Sequence, residues 1–136
     1  MERYKDKKAV IIGGTTGIGF ATAKMLMNGG AGVLVTGRSQ AGLDSATKEL
    51  GKGALVVSSD ARSLTDIDVL ASRVKAEFDT IDLLFVNAGF SLFAPLEHVT
   101  EATYDDMFNL NAKGPFFAVK KLAPLITRGG SVVLTT

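Results

Sequence analysis

A chain of 136 residues with 46% hydrophobic and 21% charged residues is long enough for one domain with a buried core and too apolar for a disordered segment. Its net charge of +1, with acids and bases interleaved, argues against nucleic acid or an anionic membrane surface as the main partner. There is no cysteine, and His98 is the single histidine, so disulfides, thiolate metal sites and cysteine nucleophiles are excluded and no metal is expected.

The opening MERYKDKK is charged and leads into only four apolar residues, AVII (9–12), which reads as a first strand rather than a signal or a membrane span. A cytoplasmic location is therefore expected. A glycine-rich loop follows, then a segment with helical spacing at Ile18, Ala21, Met25 and Leu26, closed by Gly29 and Gly30 as helix caps. A second apolar run, GVLVT (32–36), precedes a helical pattern at Leu43, Ala46, Thr47 and Leu50. ALVVS (54–58) is the third run, and Ile67, Leu70 and Val74 mark the helix after it. IDLLFVN (81–87) is the fourth. A long helix is expected from near Thr100, with Glu101, Asp105 and Asp106 suiting its dipole, to about Thr127, where Pro124 bends or ends it. SVVLT (131–135) closes the series. The runs are continuous rather than alternating, as in strands buried on both faces, so the expected fold is α/β: a doubly wound parallel sheet of five strands in a single domain spanning 1–136.

Four glycines crowd into seven residues of VIIGGTTGIGF, between the first strand and the first helix. Glycine within a regular element costs roughly 0.5–1 kcal/mol relative to alanine, so the cluster calls for a compensating role. In such a loop one glycine makes a tight turn, a second admits a pyrophosphate to the backbone, and a third lets the helix pack on the strand, while free N–H groups and the helix dipole face the anion. Gly13, Thr15, Thr16, Gly17, Ile18 and Gly19 are the candidate residues on the phosphate side. A glycine-rich turn selected only for close packing is the competing explanation.

Asn87 ends the fourth run, on the edge of an open sheet where ligands bind, and the competing reading of Asn87, Ala88 and Gly89 is a plain turn. Asp60 is expected to end the third strand in SSDA, at the same edge, with Ala61 next. A carboxylate there can accept from an adenine amino group, or it can simply cap a helix. Dinucleotide folds that take NAD place an acid at the end of the second strand, but this chain reads LVTGRSQ, with Gly37 at that place and Arg38 and Ser39 next. A guanidinium pairs with a ribose 2′-phosphate, so NADP(H) is favoured; with Arg38 on the adenine face or in solvent, NAD(H) is the alternative.

GGTTGIG, followed by NAG (87–89) and NLNAKGPFF (109–117), resembles the N-terminal half of the short-chain dehydrogenase/reductase family over nearly the whole chain, in order and spacing. The family usually has threonine before the first glycine, where this chain has Ile12. The resemblance implies a Rossmann fold in which the backbone of Ala88 and Gly89 lies along the cofactor and Asn87 ties neighbouring strands together. It also implies an oxidoreductase that interconverts a small carbonyl compound and a secondary alcohol by hydride transfer, with proton transfer by a Tyr aided by a Lys and a Ser. Asn111 matches the asparagine that supports the Lys through water, with Asn109 as a competitor. The Ser and the Tyr-x-x-x-Lys pair, expected after the fifth strand, have no counterpart here. Tyr104 lacks the lysine, and Tyr4 with Lys8 matches by letters alone on the wrong edge of the sheet.

The expectation is thus a cofactor-binding half, apparently truncated after the fifth strand and inactive alone. FFAVKKLAPLI carries an apolar surface that family members cover with a following helix and a partner subunit, implying a homodimer or homotetramer through the fourth helix. A non-catalytic nucleotide-binding or assembly module remains the rival, and a Rossmann protein with another nucleotide ligand is weaker. His98 reads as a surface residue, and FSLFAPL (90–96) as a loop either at the mouth of the site or packed on its own helix.

Overall fold

A computed structural model describes residues 2–136. Strands β1 (Lys8–Ile12), β2 (Gly32–Gly37), β3 (Ala54–Ser58), β4 (Ile81–Val86) and β5 (Ile126–Leu134) form one parallel sheet in the order β3-β2-β1-β4-β5. The connections are the helices α1 (Gly17–Asn28), α2 (Gln40–Leu50), α3 (Leu64–Phe78), α4 (Glu101–Phe108) and α5 (Gly114–Leu122). The order reverses at β1, where the chain goes out to β2 and β3 and then returns to β4. The carboxyl ends of β1 and β4 therefore diverge into opposite crossovers and leave a crevice between them.

The continuous apolar runs of β1, β2 and β4 are explained by burial on both faces, whereas Val132, Val133 and Leu134 of the edge strand β5 stay exposed. Val10, Ile12, Leu34, Leu84 and Val86 point into one core with Leu70, Val74, Ala118 and Leu122 of α3 and α5. Ile11, Val33, Val35 and Phe85 point into the other, with Ala23 of α1 and Ala46 and Leu50 of α2. Ile67, Leu70 and Val74 of α3 are buried, as are Leu43, Ala46 and Leu50 of α2, whereas Thr47 stays exposed.

Three expectations are corrected. The spacing of Ile18, Ala21 and Met25 marks a helix, but not its inner face: Ile18 and Met25 are exposed, and the helix buries Gly19 and Ala23 instead. An ideal Cβ on Gly19 would collide with the carbonyl oxygen of Gly13, so α1 lies so close to the loop before it that only its smallest residues fit inward. The long fourth helix is also divided. A π-type turn at Asn109–Lys113 separates α4 from α5, and Pro115 stands in the first turn of α5, where no N–H partner is required. The helix ends at Leu122, and Pro124 falls in a short 3₁₀ turn, Ala123–Leu125. β5 begins at Ile126, five residues earlier than the apolar run suggests, because Ile126 pairs with Ile81 before the ladder shifts to Leu83 and Ser131 around Gly129 and Gly130.

Candidate functional site

The loop between β1 and α1 hangs from β2. Gly13 N donates to Thr36 Oγ1 (3.2 Å) and Gly14 N to the Thr36 carbonyl (2.9 Å), and Thr36 itself is buried. Gly13 has φ +81°, and a Cβ there would sit 2.6 Å from Ala88 N, so the turn and the approach to the Asn87–Gly89 segment both demand glycine. Gly17 has φ +59° with no atom within 4 Å of where a Cβ would stand, and it lines an open cleft. Its need for glycine comes from backbone conformation and open space, not from protein packing.

The N-terminus of α1 differs from those of α2, α3 and α4. Ser39, Ser63 and Thr100 each accept a backbone N–H at the start of their helices, but the side chain of Thr16 caps nothing and no acid stands in the first turn of α1. The positive end of that helix and its free N–H groups face the cleft, which suits an anion.

The cleft has two connected parts that share Gly13, Thr16, Ala88 and Gly89. The larger, about 660 Å³, runs from Gly17 and Ile18 past Asn87 to Phe90, Asn111 and Thr135. The smaller, about 270 Å³, extends over Thr15, Gly37, Arg38, Ser39, Asp60 and Ala61. Together they bring the candidate site residues onto one continuous groove along the carboxyl edge of the sheet, except Gly19, which is buried against the Gly13 carbonyl and lines neither part.

Asn87 braces the groove floor: its Nδ2 donates to the Gly13 carbonyl (3.1 Å) and its Oδ1 accepts from Thr135 Oγ1 (2.8 Å), joining the glycine loop, β4 and the end of β5. Asn111 sits in the π-type turn and holds the backbone of Phe90 with both ends of its amide, accepting from Phe90 N (3.1 Å) and donating to its carbonyl (2.5 Å). The wider turn is what brings an α4–α5 side chain down to the residue after Gly89.

At the other end, Gly37 carries no side chain, and a Cβ there would lie 2.5 Å from Thr15 Oγ1, so Thr15 fills the space in which an acid would begin. Arg38 is largely exposed, with Nη1 3.6 Å from Asp60 Oδ2. The side-chain hydrogen bonds from Arg62 hold the Asp60 carboxyl below its usual range, against the opposing effect of partial burial, with smaller help from the Arg62 backbone and the charges of Arg62 and Arg38. Asp60 lies two residues beyond β3 rather than at its end.

Residues outside the groove stay outside it. Tyr4 packs on Gly29 at the amino edge of the sheet, Tyr104 stacks on Phe108, and His98 is exposed in a short turn. Phe93 and Leu96 of the 90–96 loop are 94% and 88% exposed, so that loop does not pack on its own helix. Among the described residues no group of three or more His, Asp or Glu side chains is placed to hold a metal, and no helix is long and apolar enough to cross a membrane.

Sequence reasoning passed over Thr36, Thr135 and Arg62. Thr36 precedes Gly37 in VLVTGR and Thr135 closes the last apolar run, so both stood at strand ends on the ligand edge. Their partners, Gly13 and Asn87, are far away in the chain.

A parallel sheet with its order reversed at a glycine-rich first crossover, and a groove along its carboxyl edge, is the doubly wound α/β architecture, in which ligands lie at the point of reversal. Residues 7–136 match the model of the short chain dehydrogenase family, and the chain belongs to that family. Oxidoreductase asL5 of Sarocladium schorii is 41% identical over 99% of this chain and 55% of that protein. Galactitol 2-dehydrogenase of Agrobacterium fabrum is 32% identical over 96% of this chain and 52% of that protein. Among solved structures, a short chain dehydrogenase from Burkholderia cenocepacia in complex with NADP superimposes with a TM-score of 0.86 at 29% identity, covering 97% of this chain and 56% of that one. The chain thus spans about half the length of the curated relatives it matches.

Proposed function

We propose that this chain forms the cofactor-binding part of a cytoplasmic, NADP(H)-dependent oxidoreductase that interconverts a small carbonyl compound and a secondary alcohol. The observation carrying the proposal is the groove itself: an uncapped helix N-terminus behind Gly13, Gly17 and Gly19, with Gly37 where an acid would stand at the end of β2 and Arg38 next to it.

Gly13, Thr15, Thr16, Gly17, Ile18 and Gly19 form the pyrophosphate cradle in this reading, with the free N–H groups of α1 as donors and no side chain at Gly17 to fill the space. Arg38 and Ser39 take the ribose 2′-phosphate, Asp60 and Ala61 flank the adenine, and the backbone of Ala88 and Gly89 lies along the nicotinamide half. The bound nicotinamide supplies or accepts the hydride. Asn87 keeps the glycine loop and β5 at a fixed separation while the cofactor is held. Asn111 positions the Phe90 backbone, and through it the segment after Gly89 that borders the reacting end of the groove. Among the described residues no tyrosine stands at that end, so we assign proton transfer to residues other than Tyr4 and Tyr104. The name of one relative, a galactitol dehydrogenase, supports a small hydroxyl-bearing substrate.

A homodimer or homotetramer is part of the same proposal, supported by the exposed Tyr104, Phe108 and Phe116 on α4 and α5. The test is titration of NADPH and NADH against the complete gene product, together with turnover on a panel of ketones and secondary alcohols. Tighter NADPH binding with turnover supports the proposal. Binding without turnover on any of them favours the non-catalytic module, and no binding of either cofactor removes both.

A further inference from the structure

Arg62 carries the most hydrogen bonds to the adenine end of the groove, yet it does not line the groove. Its backbone N and Nε both donate to Asp60 Oδ1, at 2.9 and 3.2 Å, and its Nη2 donates to Asp60 Oδ2 at 3.1 Å. Arg38, which does line the groove, reaches the same Oδ2 only to 3.6 Å, an ion-pair distance longer than a hydrogen bond. Two guanidinium groups therefore compete for one carboxylate, and the one behind the groove holds it.

The remaining charges fix this arrangement. Asp66 Oδ2 accepts the backbone N–H of Asp60 (2.7 Å), which sets the loop, and Asp106 Oδ1 lies 3.5 Å from Arg62 Nη1, steadying the arginine from α4.

We propose that Arg62 is a positioning residue that sets cofactor preference from outside the groove, by occupying the Asp60 carboxylate and so leaving the Arg38 guanidinium free for the ribose 2′-phosphate of NADP(H). This rests on the cofactor reading above and adds to it a residue with no cofactor contact. Without Arg62, Asp60 presents an uncompensated carboxylate beside Arg38. It then captures the guanidinium that a 2′-phosphate needs, and it opposes the phosphate by like charge. NADH lacks that phosphate, so this exchange costs NADPH alone, and any contact of Asp60 with the adenine is common to both cofactors and leaves their ratio unchanged.

The experiment is fluorescence titration of NADPH and of NADH against the complete gene product, in the wild type, Arg62→Gln, Asp60→Asn, the Arg62→Gln/Asp60→Asn double variant and Arg38→Leu, with melting curves as the folding control. Arg62→Gln is expected to lower the NADPH-over-NADH affinity ratio about tenfold, the equivalent of one charge-assisted contact weakened, through NADPH alone. Asp60→Asn in that background restores the ratio to that of Asp60→Asn by itself. If Arg62 served only to hold the loop together, both affinities would fall in step, and an unchanged ratio overturns the inference. Should Arg62→Gln fail to fold, Arg62→Lys keeps the charge without the forked pair and must still lower the ratio. The Arg38→Leu arm separates the two levels: a ratio unmoved there contradicts the NADP(H) reading, whereas a ratio that falls in Arg38→Leu but not in Arg62→Gln removes only the role of Arg62.

Discussion

Gly17 and Gly51 together test whether the glycine loop holds a ligand. Both have positive φ, +59° and +73°, and neither has an atom within 4 Å of where a Cβ would stand. Gly17 lines the groove at the start of α1, whereas Gly51 follows α2 toward the amino edge of the sheet. Alanine at positive φ costs roughly 1–3 kcal/mol, more at Gly51, whose ψ of −162° lies in a region that essentially only glycine enters, with no steric clash added at either position. For a domain of this size each kcal/mol lowers the melting temperature by about 3–5 °C, so Gly51→Ala is expected to melt no higher than Gly17→Ala. Only Gly17→Ala also puts a methyl group into the groove and biases the backbone whose N–H groups face it. Loss of one hydrogen bond to a charged group is worth about 1.5–3 kcal/mol, so NADPH affinity is expected to fall about 10- to 150-fold in Gly17→Ala and by less than about twofold in Gly51→Ala. Fluorescence titration and thermal melts on the complete gene product give both numbers. Equal affinities in the two folded variants would refute the reasoning, because the glycine at 17 would then serve the fold alone.

Three further outcomes are expected. Gly13→Val adds a branched side chain where a Cβ already comes 2.6 Å from Ala88 N, so it lowers both melting temperature and cofactor affinity; wild-type affinity in a folded Gly13→Val protein would contradict the cradle. Gly37→Asp with Arg38→Leu shifts preference toward NADH beyond Arg38→Leu alone only when Thr15→Gly is added, since Thr15 occupies the space the new side chain requires, and affinity ratios measured with and without Thr15→Gly check this. Asp60 has a lowered pKa in the folded protein, so its contribution to stability is complete above the ordinary carboxylate value near 3.8 and is lost as pH falls through the lower folded value; urea midpoints measured downward from pH 5 should drop less steeply in Asp60→Asn than in wild type.

The strands were legible because burial on both faces leaves a plain mark, the uninterrupted Val, Ile and Leu runs of β1 to β4. The switch point followed from the glycines between the first run and the first helix. The inner face of α1 was hidden, since periodicity selects large residues such as Ile18 and Met25, while the contact with Gly13 selects Gly19 and Ala23. The break between α4 and α5 depends on distant partners: Asn111 is tied to Phe90, and Gly114 lies against the Ala61 carbonyl, where any side chain would collide. Thr36 and Arg62 were hidden for the same reason. Their roles consist of hydrogen bonds to Gly13 and Asp60, and no local pattern distinguishes them from an ordinary strand threonine or surface arginine.

The central claim is that the groove along the carboxyl edge, from Arg38 past the glycine loop to Asn111, is where a nicotinamide dinucleotide lies. Backbone amide NMR of the complete gene product during titration with NADPH tests it most directly. The account predicts saturable shifts concentrated at Gly13, Thr16, Gly17, Arg38, Ala88 and Gly89, with NADH reproducing all but the change at Arg38 and Ser39. Shifts that spare the glycine loop, or that gather on another face of the sheet, would contradict it.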